Sequence, residues 1–379
     1  MIDLSESRVL IVDDTKSNID ALVQVLQGDY RLSVALSGEA ALRAIEKTPP
    51  DLVLLDVLMP GLDGFEVCRR LRENPQCRDL PVMFLTGLQE VEHKARGFEV
   101  GGNDYLTKPF EALEVKARVK AHLRAKAYAD AVREKLASEM RIAREIQAGI
   151  LECDIASELA GTGLEIAVRL DPAREVGGDL YVVLRQTERV LVVVGDVSGK
   201  GVPAAIFMAV TTTLLRSFGR MGLAPEAVLR HVSDELSGQN PQGMFVTLSC
   251  AVFEPGQAKM TYSSAGHPSP VRLRQGEPPA LPFRATGMMA GVMPGTKIEQ
   301  LETDLRVGDT YLFYSDGVTE ALNRTQQMFG NDRLLEVAAR GASLRSGELV
   351  TLVEQAVSDF AEGEPQSDDV TLLAIRWTG

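Results

Sequence analysis

The sequence predicts two folded parts of different class joined by a helix. Residues 1 to about 122 read as a doubly wound parallel α/β sheet, and residues from about 156 to 379 as an α+β sandwich in which helices cover antiparallel sheets. Three observations carry this prediction. In the first third, continuous apolar runs such as VLIV and LVLLD alternate with amphipathic stretches, the pattern of strands covered on both faces. In the last three fifths the strand signals are period-two or continuous and follow one another with few helices between them. Between the two lies a segment rich in Ala, Arg, Glu and Lys with no proline.

In chain order, the first part opens with a strand at Val9–Val12 that runs into Asp13-Asp14. A helical stretch with Ile19, Leu22, Val23 and Leu26 follows, then a short strand at Leu32–Ala35 and a helix at Ala40–Ile45. LVLLD (Leu52–Asp56), PVMFLTG (Pro81–Gly87) and DYLTKPF (Asp104–Phe110) are the remaining strands, each followed by helix-like sequence. In such sheets the site lies beyond the carboxyl ends of the strands. Asp13, Asp14, Asp56, Thr86 and Lys108 all fall there. Three carboxylates converging on one spot repel unless a cation joins them, and hard oxygen ligands suit Mg²⁺.

From Glu111 to Leu151 the single glycine is Gly149, so one long helix is expected. Ala129, Val132, Leu136, Glu139, Ala143, Ile146 and Ile150 keep a three-four spacing, a coiled-coil seam broken by one carboxylate. The seam reads either as a face packed on one of the domains or as a parallel dimer stalk. A seam this weak suits a switch, because a small input shifts an equilibrium only between states of similar energy.

The second part is expected to hold strands at Leu164–Leu170, Leu180–Arg185, Val190–Val197, Phe245–Phe253, Lys259–Gly266, Asp309–Gly317 and Val370–Arg376. Its helices are expected at Pro203–Phe218, Pro225–Leu236, Arg333–Arg340 and Ser346–Phe360. The stretch GDVSGKG (Gly195–Gly201) looks at first like a phosphate-gripping loop. A P-loop needs four residues between its glycine and Gly-Lys, followed by Ser or Thr. Here there are three, followed by Gly201, and the surrounding sheet is not parallel. The alternative rests on carboxylates at strand ends, each read as standing at a β-turn: Asp179 after Gly177-Gly178, Asp196 after Gly195, Asp316 before Gly317, and Asp368-Asp369 before the last strand. Neighbouring glycines let the backbone approach whatever the carboxylates bind. Such a cluster is stable with divalent cations, and two metals can activate a bridging water and align a phosphate. No His or Cys pair competes, which favours Mn²⁺ or Mg²⁺ over zinc.

The bulk numbers limit the rest. The chain has 379 residues, a formal charge of −13 and a pI near 5.0, which argues against nucleic acid as a partner. Its four cysteines lie far apart with no CxxC pair, implying a reducing compartment. No stretch resembles a signal peptide, and the apolar runs, read as five to seven residues long, fall short of a membrane span. A cytoplasmic protein with no membrane partner is expected.

Two resemblances follow from these motifs. VDD, LLDVLMPGLDG, the strand-ending Thr86 and Lys108-Pro109 resemble the receiver domain of two-component response regulators, a flavodoxin-like fold. The resemblance implies that Asp56 accepts a phosphoryl group from a histidine kinase or other phosphodonor. It also implies that Asp13, Asp14 and Asp56 hold one Mg²⁺, that Thr86 and Lys108 contact the phosphoryl oxygens, that Tyr105 is the rotamer-switching aromatic, and that the Lys108-Pro109 bond is cis. EVGGDLY, VGDVSGKGVPAA, SSAGHPSPV, FYSDGVTEALN and SDDVTLLAI, in that order, resemble the PPM-type serine/threonine phosphatases of the SpoIIE-like branch, an α-β-β-α sandwich. That resemblance implies two Mn²⁺ or Mg²⁺ held by Asp196, the Val197 carbonyl, Asp316, Asp368 and Asp179, with Asp369, Gly195 and Gly317 in support and the helix at Pro203–Phe218 as a switch.

Together they imply a receiver at 1–122, a coiled-coil linker at 123–155 and a phosphatase at 156–379, working as a homodimer. The implied substrate is a phosphorylated anti-anti-sigma (STAS-type) protein. The alternative is a non-catalytic adaptor that uses the phosphatase fold to bind or sequester a partner. His267 reads either as a general acid or as a structural imidazole, and Lys200 either as a phosphate contact or as a solvated side chain.

Overall fold

The computed structural model describes residues 3–87, 96–238 and 240–379. They form two compact units, Met1–Ser138 and Glu139–Gly379.

In the first unit, β1 (Arg8–Val12), β2 (Arg31–Ala35), β3 (Leu52–Asp56), β4 (Val82–Gly87) and β5 (Asp104–Lys108) make a wholly parallel sheet of order β2-β1-β3-β4-β5. The central strands are apolar throughout because both faces are covered. One face carries Leu10, Val53, Leu55 and Val82 against α2 (Gly38–Lys47) and α3 (Gly64–Glu73). The other carries Val9, Ile11, Leu52 and Leu54 against α1 (Lys16–Leu26) and the start of the long helix α4 (Ala112–Leu151), through Val115, Val119 and Leu123. Strand order reverses between β1 and β3, and their pairing, which ends at Val12 with Leu55, sets Asp13 beside Asp56. The helix-like sequence expected directly after Gly87 falls partly on residues 88–95, outside the described residues.

The second unit has two antiparallel sheets. The first has the order β12-β10-β9-β8-β7 and the second β11-β13-β14-β6. Their strands are β6 (Leu164–Asp171), β7 (Leu180–Gln186), β8 (Arg189–Val197), β9 (Val246–Glu254), β10 (Lys259–Ala265), β11 (Val271–Leu273), β12 (Leu301–Asp304), β13 (Thr310–Tyr314) and β14 (Val370–Trp377). After α5 (Ile155–Leu159), α6 (Val202–Gly219) and α7 (Pro225–Gly238) cover the first sheet through Ala204, Met208, Leu215, Val228 and Val232. After the turn α8 (Asp316–Thr319), α9 (Gly330–Arg340) and α10 (Ser346–Ala361) cover the second through Leu334, Val337, Leu349 and Val353. Between the sheets lies a third core of Val192, Val194, Phe253, Tyr262, Tyr311, Phe313, Leu373 and Ile375. Three cores separate four layers, the expected α-β-β-α sandwich.

Three sequence readings need correction. The strand expected to run to Gly317 stops at Tyr314, because Ser315 bonds back to Thr371 and Asp316 opens a helical turn. Asp196 does not sit at a turn: it lies inside β8, paired with Thr247. The apolar run Val202–Val210 exceeds the length read from sequence, and α6 is long and apolar enough to cross a membrane by length and composition alone. Its Ala204, Met208, Thr211, Thr212 and Leu215 are buried in this fold.

Leu373 is fully buried in the inter-sheet core. Leu373→Ala is expected to destabilise the second unit by about 2–5 kcal/mol, read as a lowered urea midpoint of the full chain.

Candidate functional site

At the receiver end, Lys108 Nζ lies 2.7 Å from Asp56 Oδ1 and 2.9 Å from Asp13 Oδ2. Asp13 is fully buried and is held further by the Thr15 amide (2.8 Å) and the Asn18 side chain. Among the described residues, Asp13, Asp14 and Asp56 alone bring three potential metal-ligating groups within 4.8 Å of one another. Burial pushes the Asp56 carboxyl up to about 6, against the pull of Lys108 and with help from Asp13 and Asp14. Thr86 stands one residue before the end of β4 and one residue beyond the partner of Asp56 in the β3–β4 ladder, and is buried. The Tyr105 ring is buried between Phe84 and Phe98, with centroids at 5.8 Å and 4.9 Å. Its hydroxyl lies where a Cβ on Gly97 would come within 2.2 Å. The Lys108-Pro109 peptide is cis, as expected.

In the second unit, antiparallel pairing of β7 with β8 reaches Leu180 opposite Gly195. One step beyond that pair stand Asp179 and Asp196. From the other sheet come Asp316, which opens α8 after β13, and Asp368, just before β14. Asp179 is buried, its Oδ2 accepts a 2.6 Å hydrogen bond from the Thr371 hydroxyl, and its buried Oδ1 has no hydrogen-bond partner. Burial first, and the neighbouring Asp196 second, hold its carboxyl far above the usual range. Asp196 is pushed up to about 7 by burial and then by Asp316 and Asp368, and Asp316 is raised by burial and by Asp368. Carboxylates stripped of water and set against one another are the donor set a divalent cation fits. A buried Asp179 carboxylate oxygen without a hydrogen-bond partner agrees with it.

Lys200 lies at the surface and is paired. Its ammonium is 2.9 Å from Asp368 Oδ2 and donates to the Ser367 carbonyl at 2.6 Å. Asp369 is a backbone tie: its carboxylate accepts from the amides of Ala173 (2.8 Å), Gly178 (2.6 Å) and Asp179 (3.3 Å). The glycines are dictated by close approach. A Cβ would sit 2.2 Å from Asp369 Oδ2 at Gly177, 2.9 Å from the Val197 carbonyl at Gly178, 2.7 Å from the Thr247 carbonyl at Gly195 and 2.0 Å from the Asp369 carbonyl at Gly317. His267 is buried. Its Nε2 is 3.1 Å from the Tyr314 carbonyl and Nδ1 is 2.8 Å from the Thr247 hydroxyl. A carbonyl only accepts, so Nε2 carries the proton and Nδ1 accepts from Thr247. The imidazole is structural rather than a general acid.

Sequence reasoning missed two participants. Thr371 carries the hydroxyl that orients Asp179, and its signal was a polar residue one step into an otherwise apolar final strand. Gln147 is a buried amide on α4, and on a helix of mixed Ala, Arg and Glu no local signal marks it.

A family model described as stage II sporulation protein E (SpoIIE) matches residues 186–378, a little over half of the chain. The chain belongs to the SpoIIE family. Residues 9–120 of this SpoIIE-family chain match the response regulator receiver domain. Phosphoserine phosphatase RsbU of Bacillus subtilis is 29% identical over 246 residues, covering 65% of this chain and 72% of that protein. Response regulator PleD of Caulobacter vibrioides is 36% identical over 170 residues, or 45% of this chain. The chain spans 36% of PleD's length. The SiaA-PP2C domain of Pseudomonas aeruginosa superposes with a TM-score of 0.59 at 20% identity, covering 65% of this chain and 98% of that one, which shows a shared fold.

Burial pushes His267 down to about 4, well below the ordinary histidine value near 6.5. The folded state therefore binds fewer protons there than the unfolded chain. The associated stability is fully present above pH ~6.5 and is lost as pH falls towards about 4. In urea melts across that window, His267→Gln is expected to show a flatter pH dependence than the wild type.

Proposed function

We propose that this chain is a response regulator whose output is hydrolysis of phosphoserine or phosphothreonine on a protein, with a receiver at 1–122, a linker at 123–155 and a phosphatase at 156–379. The observation that carries the reading is that Asp179 and Asp196 from one sheet meet Asp316 and Asp368 from the other closely enough for the latter two to raise the Asp196 carboxyl, while a buried oxygen of Asp179 has no hydrogen-bond partner. In this reading Asp196, the Val197 carbonyl, Asp316, Asp368 and Asp179 would hold the ions. Two bound Mn²⁺ or Mg²⁺ ions would supply an activated water and in-line alignment of the phosphate. Thr371 and Asp369 fix the orientation of Asp179, while Lys200 neutralises Asp368.

In the receiver, Asp13 and Asp14 would help Asp56 hold one Mg²⁺, and Asp56 would accept the phosphoryl group from a histidine kinase or other phosphodonor. Lys108, already between Asp13 and Asp56, and Thr86 would then meet the phosphoryl oxygens, with Tyr105 as the ring that responds. The resemblance to SpoIIE-like phosphatases supports a phosphorylated anti-anti-sigma (STAS-type) protein as the target, and a histidine kinase partner would fit a cytoplasmic reaction. Val132, Leu136 and Ile146 on α4 are each more than half exposed, and a parallel homodimer pairing through this seam would cover them.

Mn²⁺-dependent phosphate release from p-nitrophenyl phosphate and from candidate phosphoproteins is expected to fall to background in Asp196→Ala. Equal rates in the two proteins would instead favour the adaptor reading. Beryllofluoride is expected to change the rate in the wild type and not in Asp56→Asn. In sedimentation velocity, Leu136→Asp is expected to shift the dimer towards monomer.

A further inference from the structure

A cavity of about 250 Å³ opens beside the acidic cluster, for its lining includes Gly317 and Ser367, the chain neighbours of Asp316 and Asp368. Its floor is apolar: Ala321 and Leu322 follow α8, Val357 and Ala361 end α10, and Val370 opens β14. Val357 and Val370 belong to the core between α10 and the second sheet, and Ala321 packs against it. A side chain entering the cavity would therefore extend a core that already exists. The outer wall is held in place. The chain leaves α10 through Glu362 and Gly363 with φ of 52° and 83°, and the Glu364 amide bonds back to the Ala361 carbonyl at 2.9 Å. Gln366 Nε2 donates to the carbonyls of Asp171 (2.8 Å) and Asp368 (2.7 Å), so one amide joins this wall to the acidic cluster. The rim is acidic. Arg169 is paired with Glu354 at 3.0 Å, while Asp171 and Glu364 make no ion pair among the described residues. Small-molecule sites usually enclose about 300–1,000 Å³. This cavity is smaller and has room for one large side chain, not for a cofactor.

We infer that this cavity is a specificity subsite for the phosphoprotein substrate. It receives a large apolar side chain, such as leucine or methionine, from a residue close in sequence to the phosphorylated serine or threonine, and its rim favours a lysine or arginine beside that residue. The inference rests on the proposed phosphatase reading and deepens it to a sequence preference. A phosphate held at the acidic cluster fixes its own residue, and an extended chain advances only about 3.3–3.6 Å per residue, so the flanking residues pass the cavity mouth. Apolar pockets separate substrates by about 10–200-fold for small changes in the side chain they hold. Exposed charges contribute less and are screened by salt. The apolar residue thus carries the selection, and the basic one assists through Asp171 and Glu364.

The test uses the full-length chain with Mn²⁺ and a set of phosphoserine peptides in which a Leu-Lys pair is moved stepwise along an alanine background. The reference substrate is p-nitrophenyl phosphate, which has no flanking side chain to place. At one position leucine is expected to raise kcat/KM by about 10–100-fold over alanine. Replacing the lysine there by aspartate is expected to lower it by about 2–5-fold, an effect that fades at high salt. Ala361→Phe fills the cavity, and is expected to lower the ratio of peptide to p-nitrophenyl phosphate kcat/KM by about tenfold and to remove the advantage of leucine. A flat peptide scan in the wild type, or an Ala361→Phe protein that keeps the leucine preference, overturns the inference. Should that variant fail to fold, Glu364→Lys decides. Loss of the lysine preference with the leucine advantage retained supports the subsite, and an unaltered lysine preference refutes it. Absence of turnover of every substrate by the wild type sinks the phosphatase reading and the subsite with it, whereas normal p-nitrophenyl phosphate turnover with a flat scan sinks only the subsite.

Discussion

The structure is organised around one electrostatic constraint: carboxylates withdrawn from water and placed side by side are unstable without a cation between them. The chain meets this constraint twice. At the end of the parallel sheet, Lys108 reaches both Asp13 and Asp56 and holds that site together from within. In the sandwich, Lys200 reaches only Asp368, leaving Asp179 and Asp196 with raised affinities for protons. The surrounding features serve to keep those carboxylates where repulsion would drive them apart. Ladder register sets Asp179 against Asp196, Thr371 bonds one oxygen of Asp179, Asp369 ties down its backbone, and glycines admit the close approach.

Much of this was legible in the sequence because its signals are local. Continuous apolar runs such as Val9–Val12 and Leu52–Leu55 mark strands covered on both faces, and the aspartates that follow them mark the crevice. Glycines beside Asp179, Asp196 and Asp316 announced backbone crowding. What remained hidden depends on pairing between distant segments. The three-residue β11 and the four-residue β12 carry too little pattern to stand out and exist because β13 and β10 offer them edges. The interruption at Ser315 follows from its bond to Thr371. Gln147 is the clearest case. On a helix of mixed Ala, Arg and Glu a glutamine carries no mark, and only the fold brings Gly177 to it.

The long helix combines two kinds of residue with opposite demands. Its outward apolar side chains, Val132, Leu136 and Ile146, gain from being covered, and their alanine-diluted spacing makes any such pairing weak. Its inward amide at Gln147 is fastidious, since both bonds to Gly177 depend on one orientation. A loosely held exterior and a strictly held interior thus share the same helix.

Each sheet of the sandwich supplies half of the acidic cluster, so the spacing of the carboxylates is set by the thickness of what lies between the sheets. Phe253 and Tyr311, with ring centroids 6.0 Å apart, belong to that filling, as does Phe283 stacked on Tyr262 at 4.2 Å. The hydrophobic interior thus acts as a spacer in the instrument maker's sense, a shim whose volume fixes the gap between two jaws. Exchanging one buried aromatic for a slimmer neighbour would change that gap while leaving every acidic residue in place.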